Sequence, residues 1–413
     1  MTMKRWISLF AAAGVLSLAA CSSEPKKEEV DEGPAGLSSF EEEVDLDLVW
    51  RLQVGKGQGT AYARIQPALW ADKLYVADAY GLVSGHELAD AEELWKVNLN
   101  ANINSAIGVS EKHVYVVTDN GVMHALNRST GESDWTAEVQ SEVLAAPVFS
   151  EGQNEGLVAV QSVDGKLRLY EAKDGKQRWT YDSNLPKLSL RGTSAPVFYE
   201  DQLIVGFANG KVVGLNLQDG SEKWSERIGI PAGRSELERL VDVDGRLLVR
   251  DETLFVVGYQ GQMAAIDLRI GKMMWKRDAS SYHGPLYGLG NLYVLSADDE
   301  LQAFDERSGS DVWNQPDLRG RQLTEPVFLD NYIAVADFEG YVHLLKQLDG
   351  AVVGRAQVKR PAVDWVRGGS YNFKHPSRYF DLDAGIRTRL VATGDYLLAI
   401  NNSGFLNLFQ IDQ

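Results

Sequence analysis

Short runs of alternating apolar and polar residues, separated by glycine, aspartate and asparagine turns, recur along residues 46–413. Two clear copies are APVFYEDQLIVGFA (195–208) and EPVFLDNYIAVADF (325–338), in which Val, Ile, Phe and Tyr alternate with small or polar residues. Alternation with a period of two predicts half-buried β-strands joined by tight hairpins. No helical period of comparable length competes, so the pattern indicates an all-β fold.

The strand pattern repeats eight times, which is clearest at the turn before the third strand of each repeat. These turns read YGLVSGHEL (80–88), NGVMHALNR (120–128), DGKLRLYEA (164–172), NGKVVGLNL (209–217), QGQMAAIDL (260–268), DELQAFDER (299–307), EGYVHLLKQ (339–347) and SGFLNLFQI (403–411). Four strands repeated eight times predict an eight-bladed β-propeller of four-stranded antiparallel blades. The eighth repeat lacks a last strand, so we expect the N-terminal stretch DLDLVWRLQV to close the last blade.

A tryptophan recurs on the outer strand of most repeats. The repeat positions are Trp95, Trp135, Trp179, Trp224, Trp275 and Trp313, and Trp50 lies on the closing N-terminal strand. Gly354 occupies this position in the seventh repeat. Because an indole is large enough to fill the space between diverging blades, we expect the seven tryptophans to stabilise the fold rather than to take part in chemistry.

The N-terminus has the features of a bacterial lipoprotein signal. Lys4 and Arg5 precede an apolar run over residues 6–20, which is the length of a signal sequence and short for a membrane span. The run ends in Leu-Ala-Ala-Cys, which resembles a lipobox, and Cys21 is the only cysteine. We therefore expect residues 1–20 to be a signal peptide and Cys21 to carry lipid, palmitate included.

The residues after Cys21 predict where the protein is anchored and how. Ser22 stands where an aspartate usually retains such lipoproteins at the inner membrane, so we expect attachment to the outer membrane, with the protein facing the periplasm. Residues 21–45 are acidic and poor in apolar residues, which predicts a disordered tether before the propeller of residues 46–413. The formal charge of −17 argues against nucleic acid as a partner.

The stretch AIDLRIGKMMW (265–275) has the pattern Ala-x-Asp-x-x-x-Gly-x-x-x-Trp, which resembles the repeats of PQQ-like propellers that surround a quinone cofactor and raises the alternative of a periplasmic quinoprotein dehydrogenase. Such enzymes typically need a calcium site, a catalytic aspartate and often a disulfide between adjacent cysteines, which a single cysteine cannot form. Most acids of the repeats lie in hairpin turns, where turn chemistry accounts for them. A third possibility is a lipoprotein sensor that binds a small ligand in the axial channel.

Other patterns that suggest chemistry are incomplete. The six histidines are scattered without zinc-ligand spacing. Asp381-x-Asp383-x-Gly385 begins like a calcium loop but lacks its later ligands. The glycine-rich residues 55–59 lead into a strand rather than a helix, which favours a loop near the axis over a phosphate site. The sequence therefore predicts no enzyme, no cofactor and no metal.

Three stretches resemble one family closely: LPKLSLRGTSAPV (185–197), SELERLVDVDG (235–245) and AIDLRIGKMMWKR (265–277). Together with the lipobox and the eight repeats, they resemble the BamB family of outer-membrane assembly lipoproteins, over essentially residues 45–413. The resemblance implies a non-catalytic scaffold of the BAM complex, which inserts β-barrel proteins into the outer membrane. Its partner would be the periplasmic POTRA domains of BamA, with other BAM subunits reached indirectly.

In that family, partner contact depends on a Leu-x-Leu-Arg loop and an Asp-x-Asp loop. The resemblance places the first at Leu188, Leu190 and Arg191, and the second at Asp242 and Asp244. Both motifs lie in repeat connections that are longer than the corresponding ones in neighbouring repeats, so we expect them side by side on one face. Two alternatives remain open: the leucines could fold back onto their own blade, and Arg191 could pair with either aspartate.

Two further features are left as hypotheses. Residues 359–385 lengthen the connection between the seventh and eighth repeats and mix aromatic with basic side chains. They form either an interaction surface or a cover over the propeller, and the sequence does not choose between these. Exposed blade edges could also receive unfolded outer-membrane proteins by β-augmentation.

Overall fold

The computed structural model describes residues 33–59, 64–150, 156–186, 188–190, 192–358 and 384–412. The chain divides into the units Met1–Gly33 and Pro34–Gln413, and all described strands lie in the second. Within the described ranges, no helix has the length and apolar character needed to cross a bilayer.

Thirty-two strands in the described ranges form eight four-stranded antiparallel sheets, here called blades 1–8. Blade 1 contains β2 (Ala68–Trp70), β3 (Lys73–Ala77), β4 (Leu82–Glu87) and β5 (Glu93–Asn98). Blade 2 contains β6 (Gly108–Val109), β7 (His113–Val117), β8 (Val122–Asn127) and β9 (Ser133–Glu138). Blade 3 contains β10 (Val148–Phe149), β11 (Leu157–Gln161), β12 (Lys166–Glu171) and β13 (Gln177–Asp182). Blade 4 contains β14 (Val197–Tyr199), β15 (Gln202–Gly206), β16 (Lys211–Asn216) and β17 (Glu222–Arg227).

The second half continues the same order. Blade 5 contains β18 (Leu248–Arg250), β19 (Thr253–Val257), β20 (Gln262–Asp267) and β21 (Lys272–Asp278). Blade 6 contains β22 (Leu286–Gly288), β23 (Asn291–Leu295), β24 (Leu301–Asp305) and β25 (Asp311–Gln315). Blade 7 contains β26 (Val327–Leu329), β27 (Tyr332–Ala336), β28 (Tyr341–Lys346) and β29 (Val352–Gln357). Blade 8 contains β30 (Val391–Thr393), β31 (Tyr396–Ile400), β32 (Phe405–Asp412) and, from the N-terminal side, β1 (Asp45–Gln53).

The predicted eight-bladed propeller is confirmed, including closure of the last blade by the N-terminal strand. Strand β1 pairs antiparallel with β32 from Asp45↔Asp412 to Gln53↔Phe405. The buried apolar residues of the described chain form eight clusters, each shared mainly by two consecutive blades. One of them joins Leu398 of blade 8 to Leu74 of blade 1, which closes the ring. The hydrophobic core therefore lies at the interfaces between blades, and each blade buries its apolar residues only against its neighbours.

Tryptophan indoles join neighbouring blades by hydrogen bonds. In five of the seven repeat tryptophans, Nε1 donates to a backbone carbonyl of the next blade at 2.8–3.1 Å: Trp50 to Leu88, Trp95 to Arg128, Trp135 to Ala172, Trp179 to Leu217 and Trp313 to Gln347. Trp224 donates to Gln202 Oε1 at 2.7 Å, and Gln202 Nε2 donates at 3.4 Å to Leu268 O on the next blade. Each of these indoles thus satisfies its donor while its ring fills the interblade space.

A glycine of the next blade makes room for six of the seven indoles; the exception is Trp50, which donates to Leu88 of a blade 1 hairpin that has Ala91, with φ of +62°, in its turn. Gly271, in the hairpin between β20 and β21, has φ of +62°, and an added Cβ would overlap Cγ of Trp224 on the preceding blade. The same close approach recurs for Gly131 on Trp95, Gly175 on Trp135, Gly220 on Trp179, Gly309 on Trp275 and Gly350 on Trp313. At these six joints glycine suits both the positive-φ backbone and the close approach of the neighbouring ring.

Residues 34–44, here called the strap, lie against blades 6 and 7. The Ala35 carbonyl accepts a hydrogen bond from Arg321 Nη1 at 2.9 Å. Phe40 packs against the apolar cluster between the two blades, and the Arg355 guanidinium lies over its ring at 4.7 Å. The tether predicted over residues 21–45 is thus corrected at its C-terminal end. Composition alone missed the strap because one aromatic residue anchors an otherwise acidic segment.

The end of the strap explains the missing tryptophan of the seventh repeat. The backbone amides of Glu43 and Val44 donate to Val353 O at 2.9 and 3.2 Å, and a Cβ on Gly354 would lie 2.5 Å from Val44 O. Glu43 also pairs with Lys346 at 2.6 Å. The incoming main chain therefore occupies the space that an indole fills at the other joints.

A buried network of polar side chains fixes Arg321 and Arg355, the two arginines that contact the strap. Arg355 Nε donates to His343 Nδ1 at 3.1 Å, and His343 Nε2 donates to Asp337 Oδ2 at 2.9 Å. Arg321 Nε donates to the same Asp337 oxygen at 2.8 Å. Because an arginine only donates, the His343 proton lies on Nε2, and burial lowers the pKa of His343, which keeps it neutral.

The indole–glycine joint can be tested with Gly271→Ala. We expect it to lower the free energy of unfolding by about 1–3 kcal/mol more than Gly394→Ala, because the added methyl overlaps Trp224. Gly394 is a matched control, since its φ is +54° and an added Cβ would meet nothing within 4 Å. Urea unfolding monitored by fluorescence measures both variants. Equal losses would show that the joint tolerates a side chain.

Restoring the repeat pattern with Gly354→Trp should destabilise the protein. The repeat predicts tryptophan at this position, but the side chain would overlap the Val44 carbonyl and displace the strap. We expect a loss of about 1–3 kcal/mol, typical of overpacking a filled site. Thermal unfolding measures the effect, and a higher midpoint for the variant would contradict this account of the seventh joint.

Candidate functional site

The two long connections begin on either side of one hairpin turn. Residues 183–196 join β13 to β14 (the 3–4 connection), and residues 228–247 join β17 to β18 (the 4–5 connection). Asn209 Nδ2 donates to Ser183 O at 2.8 Å, and the backbone amide of Gly229 donates to Gly210 O at 3.1 Å. The turn at 209–210 of blade 4 is thus their shared root, as the sequence predicted for neighbouring loops.

The two connections meet again at their C-terminal ends. An added Cβ on Gly192 would overlap the Asp244 carboxylate, so these two residues lie in direct contact. Ser194 Oγ donates to Gly245 O at 3.2 Å, and Ser194 is fully buried. Gly192 was not singled out from the sequence, since only the contact reveals why a side chain is excluded there.

The Leu-x-Leu-Arg motif lies between these two points of attachment. The Leu188 side chain is 42% exposed, and Leu190 is partly buried. Leu188 therefore does not fold back fully onto its own blade. Arg191 lies outside the described residues, so its pairing with either aspartate stays a prediction.

The Asp-x-Asp motif is less accessible than a contact surface would be. Asp242 is 1% exposed, and its backbone forms an isolated bridge with Tyr259, whose amide donates to Asp242 O at 2.7 Å. Asp244 is partly buried. The sequence does not reveal this burial, because acidic residues near a glycine turn ordinarily face solvent.

Burial and mutual repulsion dominate the electrostatics of the two aspartates. The pKa of Asp242 is raised to about 10, first by burial and then by the Asp244 charge. Burial also raises the pKa of Asp244, while the charge of Arg64 opposes that rise. Neither oxygen of the Asp242 carboxyl has a hydrogen-bond partner among the described residues, so burial beside Asp244 favours the neutral form of Asp242.

The ionisable side chains of the described residues do not form a metal-binding cluster. They contain no group of three or more His, Cys, Asp or Glu side chains that could hold a metal ion. The acids in the repeat turns bind the backbone, as for Asp174 with Lys176 N at 3.1 Å and Asp349 with Ala351 N at 3.0 Å. Burial lowers the pKa of each histidine that is described: His86, His113, His124, His283 and His343.

Of the remaining candidates from the sequence, some have a structural role and the others lie outside the described residues. The glycine-rich residues 55–59 bind neighbouring loops: the Lys56 amide donates to Asp78 Oδ2 at 2.9 Å, and the Gln58 amide donates to Asn402 O at 2.9 Å. They form a loop, as the sequence indicated. Cys21 and all but the last two residues of 359–385, including Asp381 and Asp383, lie outside the described residues.

Comparisons with known proteins agree on one family. A family model described as outer membrane protein assembly factor BamB matches residues 79–315 and 285–364. The outer membrane protein assembly factor BamB of Pseudomonas aeruginosa is 39% identical over 409 residues, which cover 99% of this chain and 100% of that protein. The crystal structure of BamB from Moraxella catarrhalis matches with a TM-score of 0.76 and 26% identity, covering 88% of this chain and 99% of that chain.

A dehydrogenase also shares the architecture. Quinohemoprotein alcohol dehydrogenase from Comamonas testosteroni matches with a TM-score of 0.67, covering 90% of this chain and 78% of that chain. The sequence identity is 11%, so this likeness shows the fold alone.

The raised pKa of the buried Asp242 carboxyl predicts a pH-dependent effect of Asp242→Asn. A carboxyl with a raised pKa in the folded protein contributes stability that is fully present below its unfolded pKa near 3.8 and is lost as pH rises towards about 10. The amide does not ionise, so the variant should gain stability relative to the parent from pH 5 to pH 8, by at most about 1.4 kcal/mol per pH unit.

Urea unfolding at several pH values checks this expectation. Asp349→Asn, in an exposed hairpin turn, controls for the general loss of a carboxylate. A difference between Asp242→Asn and the parent that does not change with pH would contradict a raised pKa at Asp242.

Proposed function

The chain belongs to the BamB family of outer membrane protein assembly factors, and from this premise we propose that it is a non-catalytic scaffold of the β-barrel assembly machinery. In this role it aids the insertion of β-barrel proteins into the outer membrane. The rigid ring supports it, because a closed propeller holds surface loops in fixed relative positions. Unfolded outer-membrane proteins remain candidate ligands of exposed blade edges.

The proposed anchor is a lipid on Cys21, after cleavage of a signal peptide over residues 1–20. The lipobox-like Leu-Ala-Ala-Cys supports lipidation, and Ser22 supports the outer membrane as its destination. The propeller would then face the periplasm, where the partner domains lie.

The proposed partner is the set of POTRA domains of BamA. The observation that carries this proposal is the junction of the two connections at Gly192 and Asp244, which leaves Leu188 exposed. Leu188 and Leu190 would supply apolar contact with the partner, and Arg191 would supply its basic rim.

The two aspartates would take different roles in that contact. Asp242 is too buried to touch a partner, so we assign it to positioning, through its buried place beside Asp244 at the loop junction. Asp244 would pass this constraint to the 3–4 connection, because it lies against Gly192. On this proposal, the Asp-x-Asp motif supports the 3–4 connection and does not itself form the contact with the partner.

The alternative of a quinoprotein dehydrogenase receives support from the shared architecture alone. The single cysteine leaves no adjacent pair to form the disulfide often found in such enzymes. No described observation favours a small-ligand sensor over the scaffold.

Substitution of the exposed leucine tests the partner assignment. Leu188→Asp should weaken binding to purified POTRA domains of BamA at least about tenfold, because a desolvated apolar contact is replaced by a charge. Leu190→Asp should act in the same direction. Leu348→Asp, at an exposed leucine of blade 7, should leave binding unchanged.

Isothermal titration measures the three variants, and circular dichroism establishes that each is folded. A folded Leu188→Asp variant that binds as tightly as the parent would remove the 3–4 connection from the interface.

A further inference from the structure

Residues 229–240, here called the arm, form the outer part of the 4–5 connection. The arm begins at Gly229, whose amide is bound to the turn of blade 4, and it ends where Val241 returns to the core at 4% exposure. Residues 230–239 are exposed throughout. None of the motif residues implied by the family resemblance lies in the arm.

The arm has a built conformation although its residues 230–239 are exposed. Glu238 N donates to Ser235 Oγ at 3.1 Å, and Ser235 N donates to Glu238 Oε2 at 3.2 Å, which is a reciprocal capping box. Arg239 Nε donates to Gly233 O at 3.0 Å. Backbone hydrogen bonds lower the pKa of Glu238, so the turn is maintained at neutral pH.

Two large aliphatic side chains of the arm are exposed to solvent. Ile230 and Leu237 are each 68% exposed. Single exposed aliphatic residues are ordinary in proteins, and Ile270 and Leu348 are examples in hairpin turns at 66% and 78% exposure. The arm differs because it carries two of them on one short segment, and burying such side chains against a partner is favourable.

The position of the arm indicates what would cover these side chains. At its start it shares the 209–210 turn with the 3–4 connection. At its end it runs into Asp242, and Asp244 two residues later touches Gly192 of the same connection. The arm is therefore attached at both ends beside the loop that exposes Leu188.

We propose that the arm is a second contact element for the same periplasmic partner, in which Ile230 and Leu237 enter an apolar groove next to the surface that receives Leu188. This inference rests on the proposed function. Arg234, Glu236 and Arg239 lie close to the two aliphatic residues in the sequence and carry charges of both signs. An apolar centre with a polar rim is the usual composition of such an interface.

The decisive variant is the double substitution Ile230→Ser with Leu237→Ser. It should weaken binding of the mature full-length chain to purified BamA POTRA domains at least about tenfold. The matched control is Ile270→Ser with Leu348→Ser, which removes the same residue types at similar exposure elsewhere and should bind like the parent. Thermal unfolding establishes that both variants are folded.

Three outcomes separate this inference from the function on which it rests. Weakened binding of the arm variant with an unchanged control supports the arm as a contact. Loss of binding in Leu188→Asp with parent-like binding in the arm variant overturns the arm and leaves the partner assignment intact. No binding by the parent chain overturns the partner assignment and, with it, the arm.

The built turn provides a second and independent measurement. Ser235→Ala removes the cap and should weaken binding, whereas Ser235→Asp keeps an acceptor at the same place and should restore it. Hydrogen exchange of residues 229–240 should slow when the partner is added. Unchanged exchange in a saturated complex would show that the arm stays in solvent.

Discussion

The structure depends on the contact between an indole of one blade and a glycine turn of the next. A four-stranded blade has apolar residues on both faces and buries neither alone. The indole fills the space between two blades, the glycine admits the ring, and in most cases the indole N–H donates to a carbonyl of the neighbour. Because this joint recurs at six of the eight blade interfaces, the angle between blades is set locally, and the connections outside the joints are free to vary in length.

That freedom is where the recognition surface arises. The 3–4 and 4–5 connections leave the repeat pattern, share one root at blade 4 and are joined again by Gly192 and Asp244. Burying two carboxyls so close together is unfavourable for folding, since desolvation and like charge both act against it. The unfavourable pair is tolerated at a junction whose geometry matters, which is typical of sites that serve a partner rather than stability.

Much of the fold was predictable from sequence because its causes are local. Alternation, turn glycines and the recurring tryptophans act within one repeat or between adjacent repeats. The absent tryptophan at Gly354 was visible, but its cause was not, because the carbonyl of Val44 comes from the far end of the chain. For the same reason the strap was assigned to a tether. At the site, connection length and family motifs predicted adjacent loops, whereas the burial of Asp242 depends on packing that no local pattern encodes.

The strap also determines how the ring would bear a mechanical load. The propeller closes by a seam between β1 and β32, and strands at a free edge separate most easily when they are peeled apart one hydrogen bond at a time. A pull on the chain ahead of residue 34 meets the contacts of Ala35 and Phe40 on blades 6 and 7 before it reaches β1. The force is therefore transmitted first to blades 6 and 7, which do not contain the β1–β32 pairing. A protein held by its N-terminal end would keep its ring closed while its partner moves.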